Sequence, residues 1–312
     1  MGEQDQRHGQ AGTHQPQRLA VLGSPIAHSK SPDIHSAAYR VLGLDWSYGR
    51  FECEEPGLAS LLAGLGSEWR GLSLTMPLKE EARRLASVLD PVAEESGVVN
   101  TLLRLAGGAG WAGFNTDVGG LAAAIHEAGL DATSTVVLGS GATAVSAILA
   151  VRSLGAQHVE VVARNASAIT DLVARFDGTS GTGAGAPLRV SGMPLAPADP
   201  DAERTSRDPE VPEPTLVVST LPGPAARGVQ LPESILGTPL LGLPLFDVAY
   251  DPWPSPLAER WSAAGGVAHA GIGMLVRQAL LQVRIFVTGD PGTPLEREDE
   301  VLAAMRSAGM GE

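Results

Sequence analysis

Thr135-Val-Val-Leu-Gly139-Ser-Gly141-Ala-Thr-Ala144 decides how this chain is read. An apolar run of strand length ends in glycine, a helical pattern follows from about Thr143 to Leu154, and a second strand-like run occupies Val159 to Ala163. Strand, glycine turn, helix and strand in that order make the unit that holds a dinucleotide. The first glycine permits the tight turn, the second lets the backbone approach a pyrophosphate, and Ala144 stands in for the third. The phosphate charge is met by free N–H groups at the helix start. This places Gly139, Ser140, Gly141, Ala142 and Thr143 against a nucleotide. The second strand ends at Ala163-Arg164-Asn165, with an arginine where an NAD-binding chain carries an acid for the ribose hydroxyls. Arginine suits a 2′-phosphate, so the expected cofactor is NADP(H).

Outward from this unit, apolar runs alternate with helical patterns in both directions, the signature of an α/β fold on mostly parallel sheets. Towards the N-terminus, strands are expected at Arg18 to Gly23, Tyr48 to Glu54 and Gly71 to Thr75. Helices are expected at Pro32 to Leu42, Leu58 to Leu65 and about Lys79 to Leu89. Val98 to Leu105 and Trp111 to Phe114 read as a hairpin joined through Gly107-Gly-Ala-Gly110. Towards the C-terminus, strands are expected at Leu216 to Ser219 and Leu243 to Val248. Residues 177–214, dense in Gly, Thr, Ala, Pro and acids, read as a surface insertion holding one strand, Leu188 to Met193. Helical periodicity from Gly271 to Thr288 can cross back to the first unit, and Leu295 to Ala308 closes the chain.

The expected architecture is thus two α/β domains: a substrate-binding catalytic domain over 18–116, completed by C-terminal helices in 271–312, and a Rossmann-type doubly wound NADP-binding domain over 117–270. Residues 1–17, polar and without a hydrophobic signal core, read as a disordered tail.

Composition narrows the function. A net charge of −13 with no arginine cluster disfavours nucleic acid as partner. No apolar run reaches the roughly 18 residues of a membrane span. The single Cys53 permits no internal disulfide or cysteine metal motif, and the seven histidines are scattered, so a cytoplasmic protein without a metal is expected.

Only two lysines stand against twenty arginines, and one of them, Lys79, ends Gly71-Leu-Ser-Leu-Thr-Met-Pro-Leu-Lys79. An amine can lose its proton near neutrality where a guanidinium cannot, which makes Lys79 the leading candidate for proton transfer. Asp117, in Asn115-Thr-Asp117 and a candidate helix cap, is its best carboxylate partner. Asn100-Thr101 supplies further hydrogen-bonding groups. In His28-Ser29-Lys-Ser31-Pro32, Ser31 is a natural N-cap with Pro32 at the first helical position, and the two hydroxyls converge with free N–H groups where an anion would be welcome.

Taken in order, His28 to Pro32, Gly71 to Lys79, Gly97-Val-Val-Asn100-Thr101, Gly113-Phe-Asn-Thr-Asp117, Asp247-Val-Ala-Tyr250 and Gly271-Ile-Gly-Met274-Leu-Val-Arg-Gln278 resemble the shikimate dehydrogenase family, over roughly Leu19 to Thr288. The resemblance implies reversible NADPH-dependent reduction of 3-dehydroshikimate to shikimate, in chorismate and aromatic amino-acid biosynthesis, by a monomer or homodimer. It implies that Ser29 and Ser31 hold the substrate carboxylate, and that Thr75, Asn100, Asp117 and Gln278 bind ring hydroxyls with help from Tyr250. Lys79 and Asp117 would form the catalytic pair. The segments 139–143 and 163–168 with Thr220 would line the cofactor site, and Val248, Gly271 and Met274 would lie near the nicotinamide. Ser73 and Ala163 replace frequent asparagines, and Leu74 and Met76 replace valines. These departures leave room for a quinate or aminoshikimate dehydrogenase and bear on the strictness of NADP preference. A silent regulator would be expected to lose Lys79 or Asp117, and both are present.

Overall fold

In the computed structural model, which describes residues 16–180, 186–195, 212–222 and 242–311, the alternating runs become two six-stranded sheets. The first is built from β1 (Gln17–Gly23), α1 (Ser31–Leu42), β2 (Trp46–Glu52), α2 (Leu58–Gly64), β3 (Trp69–Leu74), α3 (Lys79–Leu85), β4 (Val88–Leu89), α4 (Pro91–Ser96), β5 (Thr101–Arg104) and β6 (Trp111–Phe114). Its strand order is β2-β1-β3-β5-β6-β4, with β1 parallel to β2 and β3, and β5 antiparallel to β3 and β6. Successive side chains of β1 face opposite ways. Leu19 and Val21 enter one core with Ile34 and Tyr39, and Ala20 and Leu22 enter another with Leu58, Leu72 and Leu78.

The second sheet follows from α5 (Asp117–Glu127), β7 (Ser134–Leu138), α6 (Ala142–Ser153), β8 (His158–Ala163), α7 (Ala166–Phe176), β9 (Arg189–Pro194), β10 (Leu216–Ser219), β11 (Pro244–Asp247), α8 (Pro256–Ala263) and β12 (Val267–Ala270). All pairings are parallel, in the order β12-β11-β10-β7-β8-β9. Both faces are covered, Val137 packing with α5, α6 and α7 residues and Val136 and Leu138 with Leu257 and Trp261 of α8. That is why β7 reads as an unbroken apolar run rather than an alternating one.

Two helices, α9 (Ile272–Thr288) and α10 (Glu298–Met310), then return to the first sheet. Val276, Ala279, Val283, Phe286 and Met305 lie in its core, whereas Met274, near the start of α9, lies in the core of the second. One helix therefore belongs to both units. It approaches α5 so closely that a Cβ built on Gly120 would lie 2.5 Å from Gln278 Cβ and 2.7 Å from its backbone nitrogen.

Several boundaries differ from the sequence reading. The helix at Lys79 stops at Leu85 rather than Leu89, because Ala86 turns extended and Val88–Leu89 pair with β6. Gln17 belongs to β1, not to the tail, and residues 1–15 lie outside those described. Within 177–214, β9 is an integral outer strand beside β8, and 181–185 and 196–211 lie outside the described residues. The edge strand β12 is not expected from sequence, since its four half-exposed residues, Val-Ala-His-Ala, carry a single β-branched side chain. Among the described residues, no helix is long and apolar enough to cross a membrane.

Because backbone as well as side chain blocks the added methyl, Gly120→Ala should cost roughly 1–3 kcal/mol of stability. Denaturant unfolding measures this; an unchanged midpoint would mean that the α5–α9 contact is loose enough to admit a methyl group.

Candidate active site

Adjacent strands deliver the central residues. Thr75 follows β3, Asn100 precedes β5, and Asn115-Thr116-Asp117 follows β6, so neighbouring strands end side by side. Lys79, the first residue of α3, extends over the same end. Its Nζ donates to Asp117 Oδ2 at 2.6 Å, with the two side chains only 13% and 7% exposed. The other carboxylate oxygen accepts Asn100 Nδ2 at 2.8 Å. A second proton of that amide goes to Thr116 Oγ1 at 2.9 Å, and Asn100 Oδ1 accepts the Thr116 N–H at 2.9 Å. A shielded ion pair repays little of its desolvation cost, so stability is a poor reason for this one to exist.

Asp117 is not the helix cap that its position suggested. Thr116 occupies the N-cap, α5 begins at Asp117, and the Asp117 N–H is taken by Asn115 Oδ1 at 3.0 Å. The carboxylate is thereby left free to face Lys79 while still lying at the favourable end of the helix dipole. Ser31 is displaced by one position in the same way. Lys30 occupies the N-cap without a side-chain cap bond, Ser31 is the first helical residue, and its N–H donates to Ser29 Oγ at 3.3 Å.

A cavity of about 300 Å³ gathers all eight residues expected to bind substrate: Ser29, Ser31, Thr75, Lys79, Asn100, Asp117, Tyr250 and Gln278. Gly271 and Met274 line it too. A larger cleft of about 980 Å³ adjoins it and is lined by Gly139, Ser140, Gly141, Ala142, Thr143, Ala163, Arg164, Asn165, Thr220 and Val248. Thr75, Lys79, Thr143, Val248 and Tyr250 border both spaces, so Lys79 stands where they meet. The loop carrying Val248 and Tyr250 is held by buried Asp247, whose carboxylate accepts Ser255 Oγ at 2.5 Å and the Ala249 N–H at 3.2 Å. Burial pushes that carboxyl up from its ordinary value.

The larger cleft has the form a dinucleotide requires. Gly139 has φ +118°, a conformation side chains rarely adopt, and a Cβ there would run into Thr220 Oγ1. A Cβ on Gly141 would meet nothing within 4 Å, leaving open space before the first N–H groups of α6, which have no acceptor within the helix. Arg164 is exposed at the tip of β8, and no acid replaces it there. Asn165 is partly committed, since its Oδ1 caps α7 by accepting the Ala168 N–H at 3.2 Å. Among the described residues no group of three or more His, Cys, Asp or Glu could hold a metal.

The cavity wall also holds polar residues with no role assigned from sequence. Ser73 and Gln282 line the substrate-sized cavity, and behind them lie the buried side chains of Tyr48 and His35. Gln282 follows Gln278 by four residues and so shares its face of α9, a usable signal in the sequence. His35 is fully buried, with Nε2 facing Gln282 Oε1 at 3.2 Å, and burial lowers its pKa from 6.5 to about 3.

Comparison with known proteins agrees across the chain. The family model described as the shikimate dehydrogenase substrate binding domain matches residues 21–102. A Geobacter metallireducens protein named shikimate dehydrogenase (NADP(+)) is 31% identical, covering 92% of this chain and 96% of that one. The crystal structure of Mycobacterium tuberculosis shikimate dehydrogenase superposes with a TM-score of 0.72 at 37% identity, covering 93% of this chain and 99% of the other. The shikimate 5-dehydrogenase of Thermus thermophilus, solved in complex with NADP(H) and shikimate, gives 0.67 at 28% identity, over 94% and 99%.

His35 yields a pH prediction. Its folded pKa lies below the unfolded 6.5, so between about 6.5 and 3 only the unfolded chain binds this proton. The contribution is complete above that window and is lost as pH falls through it, by about 1.4 kcal/mol per unit. Urea unfolding between pH 6.5 and 5 should therefore show about 2 kcal/mol of pH dependence that His35→Phe abolishes. An unchanged slope in the variant would show that His35 is already protonated in the folded protein.

Proposed function

This chain belongs to the shikimate dehydrogenase family, and from that premise we propose that it interconverts 3-dehydroshikimate and shikimate with NADP(H), a step of chorismate and aromatic amino-acid biosynthesis. The observation that carries the reading is the 2.6 Å contact of Lys79 with Asp117 at the junction of a substrate-sized cavity and a dinucleotide-shaped cleft. In this proposal Ser29 and Ser31 receive the substrate carboxylate at the start of α1, and Tyr250 helps to bind the ring hydroxyls. Thr75, Asn100 and Gln278 orient the ring hydroxyls.

When bound, NADPH supplies a hydride to the carbonyl carbon. The Lys79 ammonium polarises the carbonyl oxygen and donates the proton that makes it a hydroxyl. Asp117 holds that ammonium in place and accepts a hydrogen bond from the neighbouring hydroxyl. In the oxidative direction the pair removes the same proton. Gly139, Ser140, Gly141, Ala142 and Thr143 would hold the pyrophosphate, Arg164 the 2′-phosphate, and Ala163, Asn165 and Thr220 the adenosine side. Val248, Gly271 and Met274 would shape the nicotinamide end. Quinate or aminoshikimate is the second reading, favoured by Ser73 in the cavity wall and Met76 at the mouth of the cofactor cleft. We further propose that the protein works in the cytoplasm as a monomer or homodimer on free small molecules. The single cysteine and the net charge of −13 support this.

Lys79→Ala should lower turnover by a factor on the order of 10² or more while leaving NADPH affinity intact, as steady-state kinetics and fluorescence titration would record; undiminished turnover would remove the mechanism. Arg164→Asp should raise the KM for NADPH by about tenfold or more and narrow the gap to NADH. An unchanged KM would make Arg164 a solvated bystander. Assays of shikimate, quinate and aminoshikimate with both cofactors decide between the two substrate readings.

A further inference from the structure

Below the cavity floor, hydrogen bonds run unbroken from the buried aromatic side chains to Asp117, and their donors all point the same way. Tyr48 Oη donates to Ser73 Oγ at 2.6 Å, and Ser73 Oγ donates to Gln282 Oε1 at 2.7 Å. Gln282 Nε2 donates to Thr101 Oγ1 at 3.0 Å, Thr101 Oγ1 to Asn100 Oδ1 at 2.8 Å, and Asn100 Nδ2 to Asp117 Oδ1 at 2.8 Å. The chain links β2, β3, α9 and β5 to the first residue of α5.

Its direction is forced at Gln282. The other proton of Nε2 meets the backbone carbonyl of Asn100 at 3.3 Å, and a carbonyl can only accept. The amide nitrogen must therefore lie on that side, and Oε1 must face Ser73 and His35. Both are then donors, so His35 carries its proton on Nε2, while Nδ1 is left to accept Tyr39 Oη at 3.2 Å. Thr101, having accepted from Gln282, gives its own proton to Asn100 Oδ1, and the Asn100 NH₂ is left for Thr116 and Asp117. The Thr116 N–H, which can only donate, imposes the same orientation on Asn100 from the other side. Thr101 and Gln282 are 0% and 2% exposed, so water cannot replace these bonds cheaply.

We propose that Gln282 is a positioning residue for the reaction, acting through Thr101 and together with the Thr116 N–H to keep the Asn100 amide turned towards Asp117, and so to keep the carboxylate aimed at Lys79 and the substrate. This rests on the reading of Lys79 and Asp117 as the reacting pair. Gln282 lines the substrate cavity but not the cofactor cleft, and Thr101 lines neither. Breaking the chain should therefore act on turnover rather than on NADP binding.

The test is steady-state kinetics of the full chain with shikimate and NADP, per folded active site, on Gln282→Met, Thr101→Val, Thr101→Ser and Lys79→Ala. Thr101→Val removes the relaying hydroxyl in an isosteric side chain and should lower kcat about tenfold with the KM for NADP changed by less than about twofold. Thr101→Ser keeps the hydroxyl and should retain kcat within about twofold. Gln282→Met should lose at least as much as Thr101→Val. If Gln282→Met does not fold, the two Thr101 variants decide the matter. The inference is overturned if Thr101→Val keeps its turnover, or if Thr101→Ser loses as much as Thr101→Val. Should Lys79→Ala prove fully active, the reading of the reacting pair fails and this inference with it. Loss in Lys79→Ala beside an active Thr101→Val sinks the inference alone.

Discussion

An ammonium and a carboxylate held 2.6 Å apart in a shielded cavity are the constraint around which the rest of this protein is arranged. Left to itself, such a pair recovers too little Coulomb energy to offset its desolvation, and either partner alone would be worse still. The fold answers by engaging the carboxylate on both oxygens. Asp117 receives Asn100 on its second oxygen and lies at the positive end of α5, while Asn115 takes its N–H. Lys79 is fixed from behind as the first residue of α3, whose preceding Leu78 is fully buried. The pair is kept oriented and open on one side, which suits a proton-transfer site better than a structural salt bridge.

Helix α9 makes that open side useful. It contributes Met274 to the core of one unit and Val276, Ala279 and Phe286 to that of the other, and between them it places Gln278 in the substrate-sized cavity. The cleft between the sheets is thus walled by an element that packs into the cores of both. The glycine turn after β7 then brings the dinucleotide space up to the same wall, and Lys79 borders both. In the proposed reading, substrate orientation, cofactor approach and proton transfer become one geometric problem solved at one place.

Much of this was legible in the sequence because it rests on local chemistry. The turn at Gly139 announces itself through a conformation that favours glycine, and Lys79 stands out because arginine serves for nearly every other positive charge. What sequence could not supply was competition for hydrogen bonds. Ser31 and Asp117 each looked like an N-cap, yet each begins its helix instead, because Ser29 takes the N–H of Ser31 and Asn115 that of Asp117. The spacing of Gln282 from Gln278 marks a shared helix face, but its role was not legible for a related reason: its partners, Ser73, Thr101 and His35, come from three distant stretches, and only the packing of α9 on the sheet brings them together. Strand β12 escaped because a four-residue sheet edge with one β-branched side chain offers too short a pattern to read.

A crystal structure of this protein with shikimate and NADP⁺ bound together would probe the Lys79–Asp117 pair without intermediaries. The hydroxyl that is oxidised should lie within about 3 Å of both Lys79 Nζ and Asp117, with the ligand carboxylate on Ser29 and Ser31 and the nicotinamide beside Met274. A ligand turned so that its carboxylate sits on Lys79, or a reacting hydroxyl out of reach of either side chain, would contradict the assignment.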